Sequence, residues 1–257
     1  MTTFTSTGAV NQSITRVGAY EPFELQVARS QITGHSTVSI FGYQTAIPTS
    51  GFIPVWENAT TYTYPTSALT MTYASTSSET LTMTVTGLDI NYNQVSDTVT
   101  FAGSTSGTAT NGTAFFRINS ITVTAIGTFG ASNVGTITAK NAGTTYAQIN
   151  PSVGRSQSAI YTVPAGNTFY LKRTQGWTNM VYTSGSYGTY RTWTVNAAGV
   201  NGIVTQRPFV ANFVSERWYP NIYAAKTDIQ WQMSATGTAY AAGFVAEGVL
   251  VANDGTL

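Results

Sequence analysis

Apolar and polar residues alternate with little interruption in ETLTMTVTGLDINYNQVSDTVTFAG, residues 79–103. Leu81, Met83 and Val85 fall on one side of an extended chain, and Thr80, Thr82, Thr84 and Thr86 on the other. The pattern restarts at Leu88, Ile90 and Tyr92, and again at Val95, Val99 and Phe101. A period of two predicts strands with one buried face. Similar short runs follow one another from Ser36 onward: STVSIFGY, GFIPVW, ALTMTY, ETLTMTVTG, SDTVTF, AFFRINSITVTAIG, VGTITAK and TTYAQI. Gly, Ser, Asn and Pro separate them, as turns require.

INPSVGRSQ, residues 149–157, breaks the rhythm and reads as a linker. A second β-rich set follows: SAIYTV, NTFYLKRT, TNMVYT, YRTWTVN, GIVTQRPFV, DIQWQMS and YAAGFVAEGVLVA. No segment shows a convincing helical period. The expected fold is therefore all-β: two β-sandwich or jelly-roll-like domains behind an extended N-terminal arm. The arm is placed at residues 1–35, one sandwich at 36–150 and a jelly-roll-like sandwich at 151–257. Residues 1–20 are polar and unpatterned. In YEPFELQVARSQITGH, Phe23, Leu25 and Val27 alternate, which suits a short strand or an ordered extension. It either wraps its own domain or, with Arg29, docks on a partner.

Composition sharpens this picture. Thr occurs 46 times among 257 residues, against 21 charged residues and a net charge of +1. Thr is β-branched, so it suits a pleated strand, and its hydroxyl wets a surface without charging it. Soluble proteins usually carry about a quarter of their residues as charges. With so few, repulsion does not keep copies apart, and a surface covered by copies of the chain or by a partner is expected. Charge is uneven along the chain: residues 1–150 hold four basic and six acidic groups, residues 151–257 seven and four.

Candidate chemistry is sparse. Without cysteine, disulfides and thiolate metal sites are excluded. No apolar run approaches the roughly 18 residues of a membrane span. The N-terminus lacks a basic start followed by an apolar run, so no secretory signal is expected and the sequons at Asn11, Asn58 and Asn111 are read as unmodified. His35 is the single histidine, and no G-x-S-x-G supplies a nucleophile elbow. DINYNQ, residues 89–94, begins like a calcium loop, but Gln94 stands where Gly is needed and Thr100 where a bidentate Glu is needed. It reads as a polar turn. Asp97 interrupts the apolar face Val95–Val99–Phe101 and reads as an edge-strand gatekeeper. No pair of carboxylates suggests glycoside hydrolysis. Arginines among aromatics in the second half are a weak nucleic-acid footprint and fit a protein interface better. NFVSERWYPNIY, residues 212–223, gathers Phe213, Trp218, Tyr219 and Tyr223 around Arg217 and is the main candidate contact surface, with an aromatic core loop as the competing reading. No cofactor, nucleic acid or membrane is expected.

EPFELQVARSQITGHSTVSIFGYQ, FIPVWENATTYTYPTSALTMTYASTS, GLDINYNQVSDTVTFAG, FFRINSITVT, SAIYTVPAGNTFYL and KTDIQWQMSA together resemble virion structural proteins of tailed bacteriophages, notably those infecting cyanobacteria and other aquatic bacteria. The resemblance spans residues 21–252 and carries no functional residue with it. It implies a non-enzymatic particle component. A capsid decoration (cement) protein on the outer surface of the head is expected, a homotrimer bound to the major capsid protein. A tail or head fibre that binds a host glycan is the alternative.

Overall fold

The computed structural model describes residues 21–180 and 185–253. Among the described residues one helix, α1 (Phe23–Ala28), precedes sixteen strands. The first nine are β1 (His35–Ile47), β2 (Ile53–Pro54), β3 (Leu69–Thr70), β4 (Thr72–Leu88), β5 (Gln94–Ala109), β6 (Ala114–Phe115), β7 (Arg117–Ile126), β8 (Ile137–Asn141) and β9 (Thr144–Ile149). Then come β10 (Ile160–Thr162), β11 (Asn167–Thr178), β12 (Gly188–Val195), β13 (Asn201–Phe209), β14 (Asn212–Tyr223), β15 (Asp228–Ala235) and β16 (Tyr240–Ala252). The fold is all-β and antiparallel throughout.

Two sheets stack into a sandwich. One has the order β1-β16-β11-β14; in the other, β10-β15-β12-β13, β2 adds to β15 beyond the end of β10. Phe169, Leu171 and Phe244 from the first meet Tyr190, Trp231 and Met233 from the second in one buried cluster. Trp231 stacks on Phe244 with ring centroids 5.6 Å apart. The remaining sheet runs β5-β4-β8-β9, with β7 also on β4, and the two-stranded ribbon β3-β6 adds Leu69 and Phe115 to its core.

The long strand β4 does what the alternation requires. Leu81, Met83 and Val85 are buried, whereas Thr72, Thr76, Thr80 and Thr86 are exposed. Cross-strand pairing lines up the hydroxyls: Thr98 faces Thr84, which faces Thr122, and Ser96 faces Thr86, which faces Ser120. Thr86 and Ser120 are 2.7 Å apart, hydroxyl to hydroxyl. The outer face of this sheet is thus wettable and nearly uncharged.

Three expectations need correction. Residues 23–28 form a helix rather than a strand. The amides of Leu25 and Gln26 donate to the Pro22 carbonyl, and Glu24 sits favourably in the first turn. Period two and period 3.6 are hard to tell apart in six residues, since Phe23 and Val27 also lie one helical turn apart. The stretch 149–157 is not a free linker. The Ser156 amide donates to Ile121 O at 2.8 Å and the Val123 amide to Gly154 O at 2.8 Å, so this stretch runs bonded beside β7. Finally, the sheets do not divide at residue 150. β1 pairs with β16 from His35↔Val251 to Ile47↔Tyr240, and β2 pairs with β15, so residues 35–54 belong to the sandwich built by the second half.

Candidate interaction surface

Arg117 on β7 and Asp228 on β15 form a buried two-pronged pair, Nε to Oδ1 and the second guanidinium nitrogen to Oδ2, each 2.8 Å. The guanidinium also donates to Pro65 O and Phe116 O, and Thr162 donates its hydroxyl to Asp228 at 2.6 Å. The rings of Phe116 and Tyr64 lie 4.0 and 4.5 Å from its centre. The pair ties the sheet of β4 to the sandwich.

The other described carboxylates also hold backbone or basic groups. Asp97, on the buried face of β5, accepts from the amides of Thr98, Asn111 and Thr113 at 2.8 to 3.0 Å, which fixes the turn before β6. Partial burial works against its ionisation, but these three amides prevail and hold its carboxyl below the usual range. Asp89 does the same for Asn91 and Asn93 in the polar turn after β4. Glu79 accepts from Ser75, Val134 and Gly135. Glu21 pairs with Arg29, Glu24 with Lys172, and Glu216 and Glu247 with Arg173. Glu57 stands apart: burial pushes its carboxyl up to about 7, against the amides of Gln157 and Asn150 and the charge of Arg155. His35 contacts Thr33 O and the edge of the Phe23 ring.

A cleft of about 610 Å³ opens between β1 and the sheet of β4. Ser36–Phe41 form one wall; Thr86, Ser96, Ser120 and Arg155 are on the other. Its lining is hydroxyl-rich, and among the described residues no carboxylate or imidazole faces it. Proton transfer by a paired acid and base has no candidates there.

The apolar surface lies elsewhere. β13 and β14 are the outer strands of the two sandwich sheets on the same side of the molecule, joined through Val210 and Ala211, the latter with φ of +63°. β13 is exposed on both faces at Ile203 and Val204, and β14 exposes Val214 and Ile222. Between Glu216↔Arg173 and Asn221↔Leu171, four residues of β14 stand against one of β11. This wide bulge pushes Trp218 and Tyr219 into solvent at 93% and 83% exposure. Pro208 and Pro220 interrupt both edges and lack amide donors.

The candidate residues of 212–223 thus part company. Phe213 stacks on Tyr190 at 4.1 Å and Tyr223 on Phe169 at 6.0 Å, so both are core. Arg217 reaches back to Thr174. Trp218 and Tyr219 alone of the five aromatic and arginine candidates face outward. Phe23 and Leu25 are 41% and 46% exposed on α1, which Lys172 ties to β11 through Glu24. Arg29 is exposed beside Glu21. Sequence reasoning missed Val200, Ile203, Val204 and Val210. The signal was present in GVNGIVTQRPFV, where apolar residues fall in adjacent pairs (Ile203–Val204, Phe209–Val210) instead of alternating and a proline interrupts the strand, which marks an edge strand.

No family model matches the chain, and no curated protein sequence matches it. Among solved structures it is similar at a low level to that of infectious bursal disease virus Gt strain, with TM-score 0.20, 9% identity, and coverage of 91% of this chain and 79% of that one. The Gx strain gives TM-score 0.21 and 12% identity over 86% and 72% of the two chains. T=1 particles derived from infectious bursal virus give TM-score 0.21 and 9% identity over 86% and 70%. Similarity at this level assigns neither fold nor role.

Proposed function

We propose that the chain is a non-enzymatic structural component of a phage particle, a decoration (cement) protein on the outer surface of the head. One observation carries the reading: the exposed apolar edge of β13 and β14 is built for contact, while the described carboxylates all engage backbone or neighbouring side chains. Low charge and hydroxyl-faced sheets suit dense packing on a lattice. The major capsid protein is the proposed partner and a homotrimer the proposed assembly. The arm and the sheet of β4 would grip the shell, with the sandwich projecting or trimerising. Binding to the assembled shell and not to its open form stabilises the shell by mass action. Quantitative mass spectrometry of particles tests this. A ratio near one chain per major capsid protein, or one trimer per local three-fold, fits; a few copies to a few dozen overturns it.

A tail or head fibre that binds a host glycan is the second reading, favoured by one feature: Trp218 and Tyr219 present free ring faces on which a sugar can stack. A glycan array probed with the full chain, and with Trp218→Ala, decides it. No signal on any glycan removes this reading.

A further inference from the structure

The edge of the sandwich carries a projection and a recess. The projection is the β14 bulge with Trp218 and Tyr219 at its tip. The recess, about 640 Å³, lies beside β13 and is lined by Tyr187, Thr189, Gln206, Pro208 and Val210. Thr189 and Pro208 oppose each other across β12 and β13, on the face turned away from buried Tyr190 and Phe209, so the recess opens on the outside of its sheet. Thr236 fixes Tyr187 from both sides, accepting from its amide at 2.8 Å and donating to its carbonyl at 2.9 Å.

We propose that a second copy of this chain occupies this edge, with Trp218 and Tyr219 of one copy seated in the Tyr187–Pro208–Val210 recess of the next. The proposal deepens the reading of the chain as a self-associating particle component and names the surface involved. Three observations favour a second copy over an unrelated partner. The two aromatics would remove on the order of 300–500 Å² from water, using the span typical of such side chains. That is close to half of the roughly 800 Å² per partner in a stable interface, before Val214 and Ile222 are counted. The recess is of a size that holds bulky side chains, and its apolar wall suits rings with a polar tip. The flanking charges are opposite: Arg191, which faces recess-lining Gln206 across β12 and β13, has no carboxylate partner among the described residues, and Glu216 beside the projection keeps a side chain 75% exposed. Pro208 and Pro220 disrupt backbone strand addition at these edges, so side-chain docking is the mode available.

In the homotrimer proposed above, the projection of each copy enters the recess of the next head-to-tail, and three such contacts close into a ring. The test uses sedimentation velocity on the full chain. Wild type is expected as a single closed oligomer at tens of micromolar. The projection variant Trp218→Ala/Tyr219→Ala and the recess variant Val210→Arg should each be monomeric, with the circular dichroism of the wild type. Mixed in equal amounts, the two should form a dimer and nothing larger, because one intact projection meets one intact recess. A monomeric wild type, variants that stay oligomeric, or a mixture that stays monomeric each overturns the proposal. Failure of the particle role looks different. An oligomer that assembles as stated yet is absent from particles sinks the cement reading and leaves this surface standing; a monomer that decorates shells does the reverse.

Discussion

Removing one member of the Arg117–Asp228 pair leaves a charge buried among Phe116, Tyr64 and Thr162 without its counter-ion. Asp228→Ala should therefore cost about 3–5 kcal/mol of stability, read from the urea midpoint. The pair itself need not be stabilising relative to an apolar filling, so Arg117→Met with Asp228→Leu should recover most of that loss. A double variant as weak as the single one would show that the hydrogen bonds to Pro65 and Phe116 matter more than the ion pair. Glu57 behaves in the opposite sense from the turn-capping acids. Its folded carboxyl titrates at about 7, above its ordinary value of 4.5, so the folded state binds the extra proton between those two values. Stability from this residue is fully present below pH 4.5 and falls as pH rises to about 7. Asp97, held low, gives the reverse: its contribution is present at neutral pH and disappears on acidification. Thermal melts of wild type and Glu57→Gln at pH 5 and pH 8 isolate the first effect. The variant should gain on the wild type at the higher pH by about 2–3 kcal/mol, and equal differences at both pH values would refute it.

Strands here are set by what lies above them as much as by their own alternation. On β1, a Cβ added to Gly42 would meet Val55 O at 2.2 Å and the Ala159 side chain at 2.6 Å. The backbone of β1 is pressed directly onto the segment that runs into β10, and Gly42→Ala should destabilise by about 1–3 kcal/mol by overpacking. Gly51→Ala, which has open space but a φ of +74°, gives a control in which any loss comes from backbone strain alone. Both are measured as shifts in melting temperature; a Gly42→Ala protein that melts like the wild type would mean that β1 can move outward. Much at this scale was legible beforehand. The alternation of 79–103 became β4 and β5, with threonine outward and Leu81, Met83, Val85 and Phe101 inward. Asp97 was legible as an anomaly, while its cause was not, since the amides it holds lie 14 and 16 residues further on. The same limit hid the partner of β1. Pairing of His35 with Val251 is a contact between the two ends of the fold, and no local pattern encodes it. In NFVSERWYPNIY the wide bulge broke the period that would have separated Phe213 from Trp218.

Across the whole molecule, the chain crosses between the two cores rather than finishing one before starting the other. Residues 35–56 enter the sandwich, 69–153 build the second core, and 159 onward return to complete the first. Trp56 and Tyr62 sit with Ile160 in a small cluster at the crossing, and the Arg117–Asp228 pair spans the same junction. Two consequences separate this arrangement from a pair of beads on a string. Residues 151–257 expressed alone lack β1 and β2, which leaves β16 with a bare edge and Ala242, Phe244 and Ala246 without part of their cover. That fragment should aggregate or remain unfolded, whereas a version with residues 35–56 joined ahead of residue 158 by a flexible linker should fold, because the missing edge is restored. Calorimetry of the full chain should show a single cooperative transition, since unfolding either core removes support from the other. Two resolved transitions, or a soluble fragment 151–257 with the near-ultraviolet signature of the ordered Trp231–Phe244 stack, would mean that the second half is self-sufficient and that β1 is an addition to a sandwich already complete.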